Sequence, residues 1–234
     1  MSPKLKTFIG FALWVLALTL TAAGPAAGQN AAPAEKGFFF SLSGQSLNLR
    51  GDLDGQLVLW HFEKAFSAPR LENSFGLGLG FGYRSEQGLW EFAYVHSSPK
   101  MDLNGTPGMA SYSSLEINGW AIPWKNIPIQ PYFLLGLCFP WLTVPDGARM
   151  GGSVYDATYT GAGVNIGGGL LLNLGKRLFL SGGIKYRYLG FFYVNGGGKG
   201  RDITYLSVGY QGPRWAKWLM ARSLGLSFHF GLRL

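Results

Sequence analysis

Over much of this chain the apolar residues fall at every second position. The last twelve residues show it most plainly: Leu224, Leu226, Phe228, Phe230, Leu232 and Leu234 alternate with Ser223, Gly225, Ser227, His229, Gly231 and Arg233. A period of two is the side-chain period of a β-strand, so one face of this segment is oily and the other small or polar. Seven further segments share the pattern: about Gly37–Leu49, Ser74–Arg84, Leu89–Ser98, Tyr112–Ile122, Gln130–Trp141, Thr158–Leu174 and Arg177–Tyr193. In the second, Phe75, Leu77, Leu79, Phe81 and Tyr83 oppose Gly76, Gly78, Gly80, Gly82 and Arg84. In the first, Phe38, Phe40 and Leu42 share a face, and the alternation slips further along.

The links between these segments alternate short and long. Ser85–Gly88, Trp124–Asn126 and Gly175–Lys176 are short; Gly51–Asn73, Pro99–Ser111, Leu142–Ala157 and Asn195–Arg222 are long. Membrane-spanning barrels have this asymmetry, with short turns on the periplasmic side and longer loops outside. The expected fold is therefore all-β: an antiparallel up-and-down barrel of eight strands, apolar toward lipid and small or polar toward the lumen. A ten-strand count is the alternative, with Gln56–Phe62 and Ile203–Tyr210 also spanning. It would put Pro99–Ser111 and Leu142–Ala157 on the periplasmic side, which disfavours it. Aromatic residues near the strand ends read as interfacial girdles: Tyr83, Trp90, Trp120, Trp124 and Tyr132 on the turn side, Trp141, Tyr159, Phe192 and Tyr193 on the loop side.

The N-terminus and the composition add a compartment. Lys4 and Lys6 precede an apolar run from Phe8 to Leu20 and a small-residue stretch from Thr21 to Gly28. This is the layout of a secretory signal peptide over residues 1–28, too short for a spanning helix. Residues 29–36 read as a periplasmic lead-in, and 37–234 as the barrel. Cys138 is the only cysteine, so no intramolecular disulfide forms, and a closed ring of backbone hydrogen bonds has to supply the stability. Lys and Arg number 20 against 12 acids; setting aside Lys4 and Lys6 leaves an excess of six. The cations are scattered along an exported chain, which points to anionic lipid head groups rather than nucleic acid. There is no phosphate-binding loop, zinc spacing or nucleotide fingerprint, so no cofactor or metal is expected.

The strands, the signal segment and glycine-aromatic runs such as G-L-G-L-G-F-G-Y (Gly76 to Tyr83) give the chain a resemblance to the small outer-membrane β-barrel superfamily. OmpA-like transmembrane domains, OmpW-like proteins and opacity-type adhesins belong to it, and the resemblance covers about Gly37 to Leu234. It implies a monomer in the bacterial outer membrane, inserted by the barrel assembly machinery after escort by periplasmic chaperones. The function it implies is non-enzymatic: envelope structure, surface interaction, or passage of a small or hydrophobic solute. That superfamily usually ends in an aromatic residue, where this chain ends Arg233-Leu234.

Three groups of residues could carry chemistry. The inward set includes Glu91, Glu116, Asn118, Asn165, Lys185, Arg187, His229 and Arg233; here two carboxylates would pair with Lys185 and Arg187 in a space of low dielectric. In the last long link, Arg214, Trp215, Lys217 and Trp218 mix cations with interfacial aromatics and suit lipopolysaccharide. His96 and Ser98, two residues apart on the lipid-facing side, look like the H-x-S pair of the lipid A deacylases. The position matching that family's acid appears here as Ala110, and Glu116 points to the lumen, so an acyl hydrolase stands as the alternative function. The first long link also holds Leu57, Leu59, Trp60 and Phe62, apolar enough to fold over the mouth.

Overall fold

The computed structural model describes residues 36–53, 57–85, 88–124, 127–203, 207–208, 214–215 and 218–234, with backbone alone at 207–208 and 214–215. The expected signal segment and the lead-in up to residue 35 lie outside the described residues.

Eight long strands form a closed ring. In chain order they are β1 (Gly37–Leu47), β2 (Ser74–Arg84), β3 (Gly88–Ser97), β4 (Ser111–Ala121), β5 (Ile129–Met150), β6 (Ser153–Leu174), β7 (Leu178–Gly196) and β8 (Leu219–Arg233). Each pairs antiparallel with its neighbours in sequence, and β8 returns to β1 with Phe39 opposite Arg233 and Gln45 opposite Ser227. Closure satisfies every strand edge, which is what lets a sheet sit in hydrocarbon.

The alternation sorts residues as the sequence leads one to expect. Leu42, Leu79, Tyr94, Leu115 and Phe139 follow one another across β1 to β5 in register and form an outward apolar row. Their exposure runs from 41% to 67% for the row and its neighbours Leu77 and Leu135, an apolar surface that belongs in lipid rather than in water. The inward positions are buried. Phe39, Leu89, Trp120, Ile122, Tyr132, Leu134, Leu171 and Phe179 pack together at the short-turn end. A larger apolar cluster fills the long-link end, with Leu47, Tyr112, Cys138, Leu142, Tyr159, Leu189 and Phe191 among its members.

Three expectations need correction. Leu142–Ala157 is not a loop: β5 and β6 each run 22 residues and meet at a two-residue turn, Gly151–Gly152. Pro140 and Pro145 look like strand ends, because proline cannot donate to a ladder. Here Pro145 falls in a register shift between Val144 and Ala148, which absorbs the missing donor. Trp120, Tyr132 and Tyr159 are not girdle residues. Trp120 stacks on Tyr132 inside the barrel at 4.5 Å between ring centres, and Tyr159 is fully buried in the upper cluster. Tyr83, Trp90, Trp124, Phe192 and Tyr193 do face outward. Strand β1 stops at Leu47, and a separate piece, Leu49–Gly51, continues along β8.

The other long links carry hairpins of their own. Leu57–His61 pairs with Lys64–Ala68, which lies against the outer end of β5. Lys100–Leu103 pairs with Thr106–Met109, and Lys199–Asp202 folds back on β7. The ring stays eight-stranded, because Leu57–His61, the described strand within the Gln56–Phe62 candidate, extends the rim instead of spanning. Most of Ile203–Tyr210 lies outside the described residues.

Candidate functional site in the lumen

Between the two apolar clusters the barrel carries a buried polar group, and the strand register explains its assembly. Arg187 of β7, Asn165 of β6, Gly136 of β5, Asn118 of β4 and Glu91 of β3 lie on one cross-strand row. Glu116 and Lys185 sit two residues along their strands from Asn118 and Arg187, on the same inward face. Glu116 accepts from Lys185 Nζ at 2.8 Å and from Arg187 Nε at 3.2 Å. Asn118 Nδ2 donates to Glu116 at 3.3 Å and reaches Glu91 at 3.5 Å. Asn165 Nδ2 donates to Asn118 Oδ1 at 3.1 Å.

Two glycines make room for this. A Cβ at Gly136 would meet Asn118 Oδ1 at 2.4 Å, so the Asn165–Asn118 bond passes over a residue that must lack a side chain. A Cβ at Gly80 would meet both Ser41 Oγ and Glu91 Oε1, the partners of a 2.6 Å hydrogen bond. The pairing differs from expectation in one respect. Glu116 takes both cations, while Glu91 is held by Ser41 and Asn118. Gln45, which accepts from Arg187, and Ser41 were missed by the sequence reading. Their shared parity with Ser43 on β1 was the available signal.

Glu91, Glu116, Asn118, Asn165, Lys185 and Arg187 are each at most 2% exposed. In formal charge the two carboxylates, Glu91 and Glu116, balance the two cations, Lys185 and Arg187. His229 lies below it, Nδ1 3.3 Å from Ser181 Oγ and its ring edge-on to Trp120. Arg233 donates to the Lys176 carbonyl at 2.9 Å and rests over the Phe179 ring.

The remaining candidates lie elsewhere. Ser98 Oγ is 3.5 Å from His96 Nε2 on the outer surface, and His96 Nδ1 is 3.0 Å from Ser113 Oγ. Ala110 is buried, and Glu116 is committed to the lumen. Arg214 and Trp215 form a two-residue strand, Lys217 lies outside the described residues, and Trp218 is half exposed with its ring 6.2 Å from Phe192. Of the first long link, Leu59 is buried in the upper cluster, whereas Trp60 and Phe62 are exposed. Among the described residues no group of His, Cys, Asp and Glu is arranged to hold a metal ion.

No family model and no curated protein matches the chain. Among solved structures it is similar to Neisserial surface protein A, with a TM-score of 0.52 and 16% identity over 86% of this chain and 99% of that one. It is also similar to the outer membrane protein OprG from Pseudomonas aeruginosa (TM-score 0.48, 13% identity, 86% and 97% covered). A major outer membrane protein from Thermus thermophilus gives a TM-score of 0.45 at 12% identity, covering 82% and 99%. The first likeness supports the fold: a small eight-stranded barrel of the outer-membrane kind.

Proposed function

We propose that this barrel is a sealed, non-enzymatic element of the bacterial outer membrane, exported by means of residues 1–28, that anchors an extracellular collar of hairpins for surface interaction. One observation carries the reading. The lumen is filled along its length: apolar side chains pack at each end, and a charge-neutral, hydrogen-bonded group lies between them. An eight-stranded ring is just wide enough for its own side chains, and here they occupy it. A water-filled path would have to break ion pairs that are costly to separate in a low dielectric. This argues against solute passage through the lumen.

The test is reconstitution into planar bilayers, after gel mobility before and after boiling has established that the protein is folded. The expected result is a heat-dependent mobility shift without discrete current steps. Reproducible single-channel currents from the shifted species would overturn the sealed reading.

A second reading draws on the Ser98–His96 contact at the lipid surface, where a histidine within reach of a hydroxyl can act as its base. The third position is held by the Ser113 hydroxyl, which brings no negative charge to steady an imidazolium, and this ranks the hydrolase second. It requires acyl-chain release from lipopolysaccharide by the folded protein, abolished by Ser98→Ala; activity that survives the substitution removes this site from consideration.

A further inference from the structure

The outer ends of β5, β6 and β7, with the hairpins laid against them, build a collar whose two faces differ in charge. Residues directly opposite in an antiparallel pair project to the same face. Lys64 lies opposite Met150, which packs on the upper core, and two residues from the fully buried Phe66. Arg201 lies opposite the buried Val194, and Lys199 opposite Gly196, where a Cβ would touch Ala148. All three cations therefore belong to the inner face of the rim, above an apolar floor of Phe66, Ala148 and Val194. His61, opposite Lys64, joins them.

Two acids of the same elements, Asp202 and Asp156, lie on the other side. Asp202 is opposite Tyr193, which is outward, and Asp156 adjoins the inward Ala157. Glu63 sits in the turn between His61 and Lys64. The cations influence one another: partial desolvation, then the charges of Arg201 and Lys199, hold the Lys64 ammonium below its ordinary range. Like charges gathered on one face, with Asp202 and Asp156 turned away, form a site for an anion that carries several charges.

We propose that the inner rim of the collar, through Lys64, Lys199 and Arg201, binds a ligand bearing clustered phosphates. The site would take either a phosphorylated glycolipid head group or a free or polymer-borne phosphate chain. The proposal uses the collar geometry alone, so it stands or falls separately from the sealed lumen and from membrane orientation.

The full chain, refolded in detergent micelles and checked by the heat-dependent gel shift, is titrated calorimetrically with sodium tripolyphosphate. Saturable binding is expected, weakened at least about tenfold in Lys64→Ser/Lys199→Ser/Arg201→Ser. All three side chains reach solvent, so this variant keeps the gel shift. Arg149→Ser removes a cation from the outer face of the same collar and should leave binding unchanged. Displacement of tripolyphosphate by intact but not by dephosphorylated lipopolysaccharide supports the site with the head group as source. Absence of displacement supports it with a free or polymer-borne phosphate. No saturable binding by the unaltered protein, or equal weakening by Arg149→Ser, overturns it.

Discussion

Glu116 of β4 and Lys185 of β7 meet across the lumen at 2.8 Å, although 69 residues and two intervening strands separate them. Arg187 closes on the same carboxylate, so removing Glu116 leaves two buried cations facing each other. Glu116→Gln is expected to cost about 3–5 kcal/mol, the usual penalty for an uncompensated buried charge. A urea-unfolding midpoint measured in detergent or lipid would register it. Glu91→Gln should cost less, about 1–3 kcal/mol, because its partners Ser41 and Asn118 are neutral. Equal losses in the two variants would contradict this division of roles.

Gly136 predicts a second effect. An added methyl meets Asn118 Oδ1 and the Ile117 carbonyl, both within 2.5 Å, and neither can retreat without losing a partner. Gly136→Ala should destabilise by about 1–3 kcal/mol, the cost of a buried polar group left unsatisfied. Combining it with Asn165→Ala should add less than the sum of the two, since both break the same hydrogen bond.

The outward row makes a third prediction. Leu42 lies mid-strand in β1 and is 58% exposed. Leu42→Arg places a cation near mid-bilayer and should cost about 2–4 kcal/mol. The same substitution at Leu234, the chain end, should cost about 0–1 kcal/mol. Measurement in phospholipid vesicles separates the two positions; equal costs would mean that Leu42 is not lipid-facing.

Phe62 gives a fourth. It occupies the left-handed region, with φ at 52°, at the tip of a hairpin, and is 90% exposed. Bulky residues are disfavoured there by about 1–2 kcal/mol, and asparagine tolerates the conformation better. Phe62→Asn should therefore raise the unfolding midpoint slightly. A fall would mean that the ring makes a stabilising contact.

Much of this was legible in the sequence because a barrel repeats one rule on every strand. Ser74–Arg84 is bounded identically in sequence and structure, since glycine and hydrophobe alternate without interruption. The inward polar residues followed from the same parity. The misreadings arose where a second rule overrode it. A place near a strand end suggests an outward girdle for Trp120, Tyr132 and Tyr159, yet Trp120 shares parity with Glu116 and Asn118, and Tyr159 with Gly161 and Gly163. Parity was the stronger guide. Which cation Glu116 would take depends on the stagger between strands, and that stagger is set by closure of the ring rather than by any one segment. The inner-face cations of the collar were beyond reach for a similar reason: Lys64 and Arg201 become neighbours only once two separate hairpins are laid on the same rim.

The long hairpin of β5 and β6 has a practical consequence. At about 3.3 Å per residue and a tilt near 45°, 22-residue strands rise about 50 Å, well beyond the roughly 30 Å of hydrocarbon. Its summit is Gly151–Gly152, where nothing lies within 4 Å of a side chain added at either residue. A foreign peptide spliced between those two glycines would be carried clear of the membrane on a stiff mast, its ends already close together, which makes this barrel a candidate chassis for displaying epitopes on a cell.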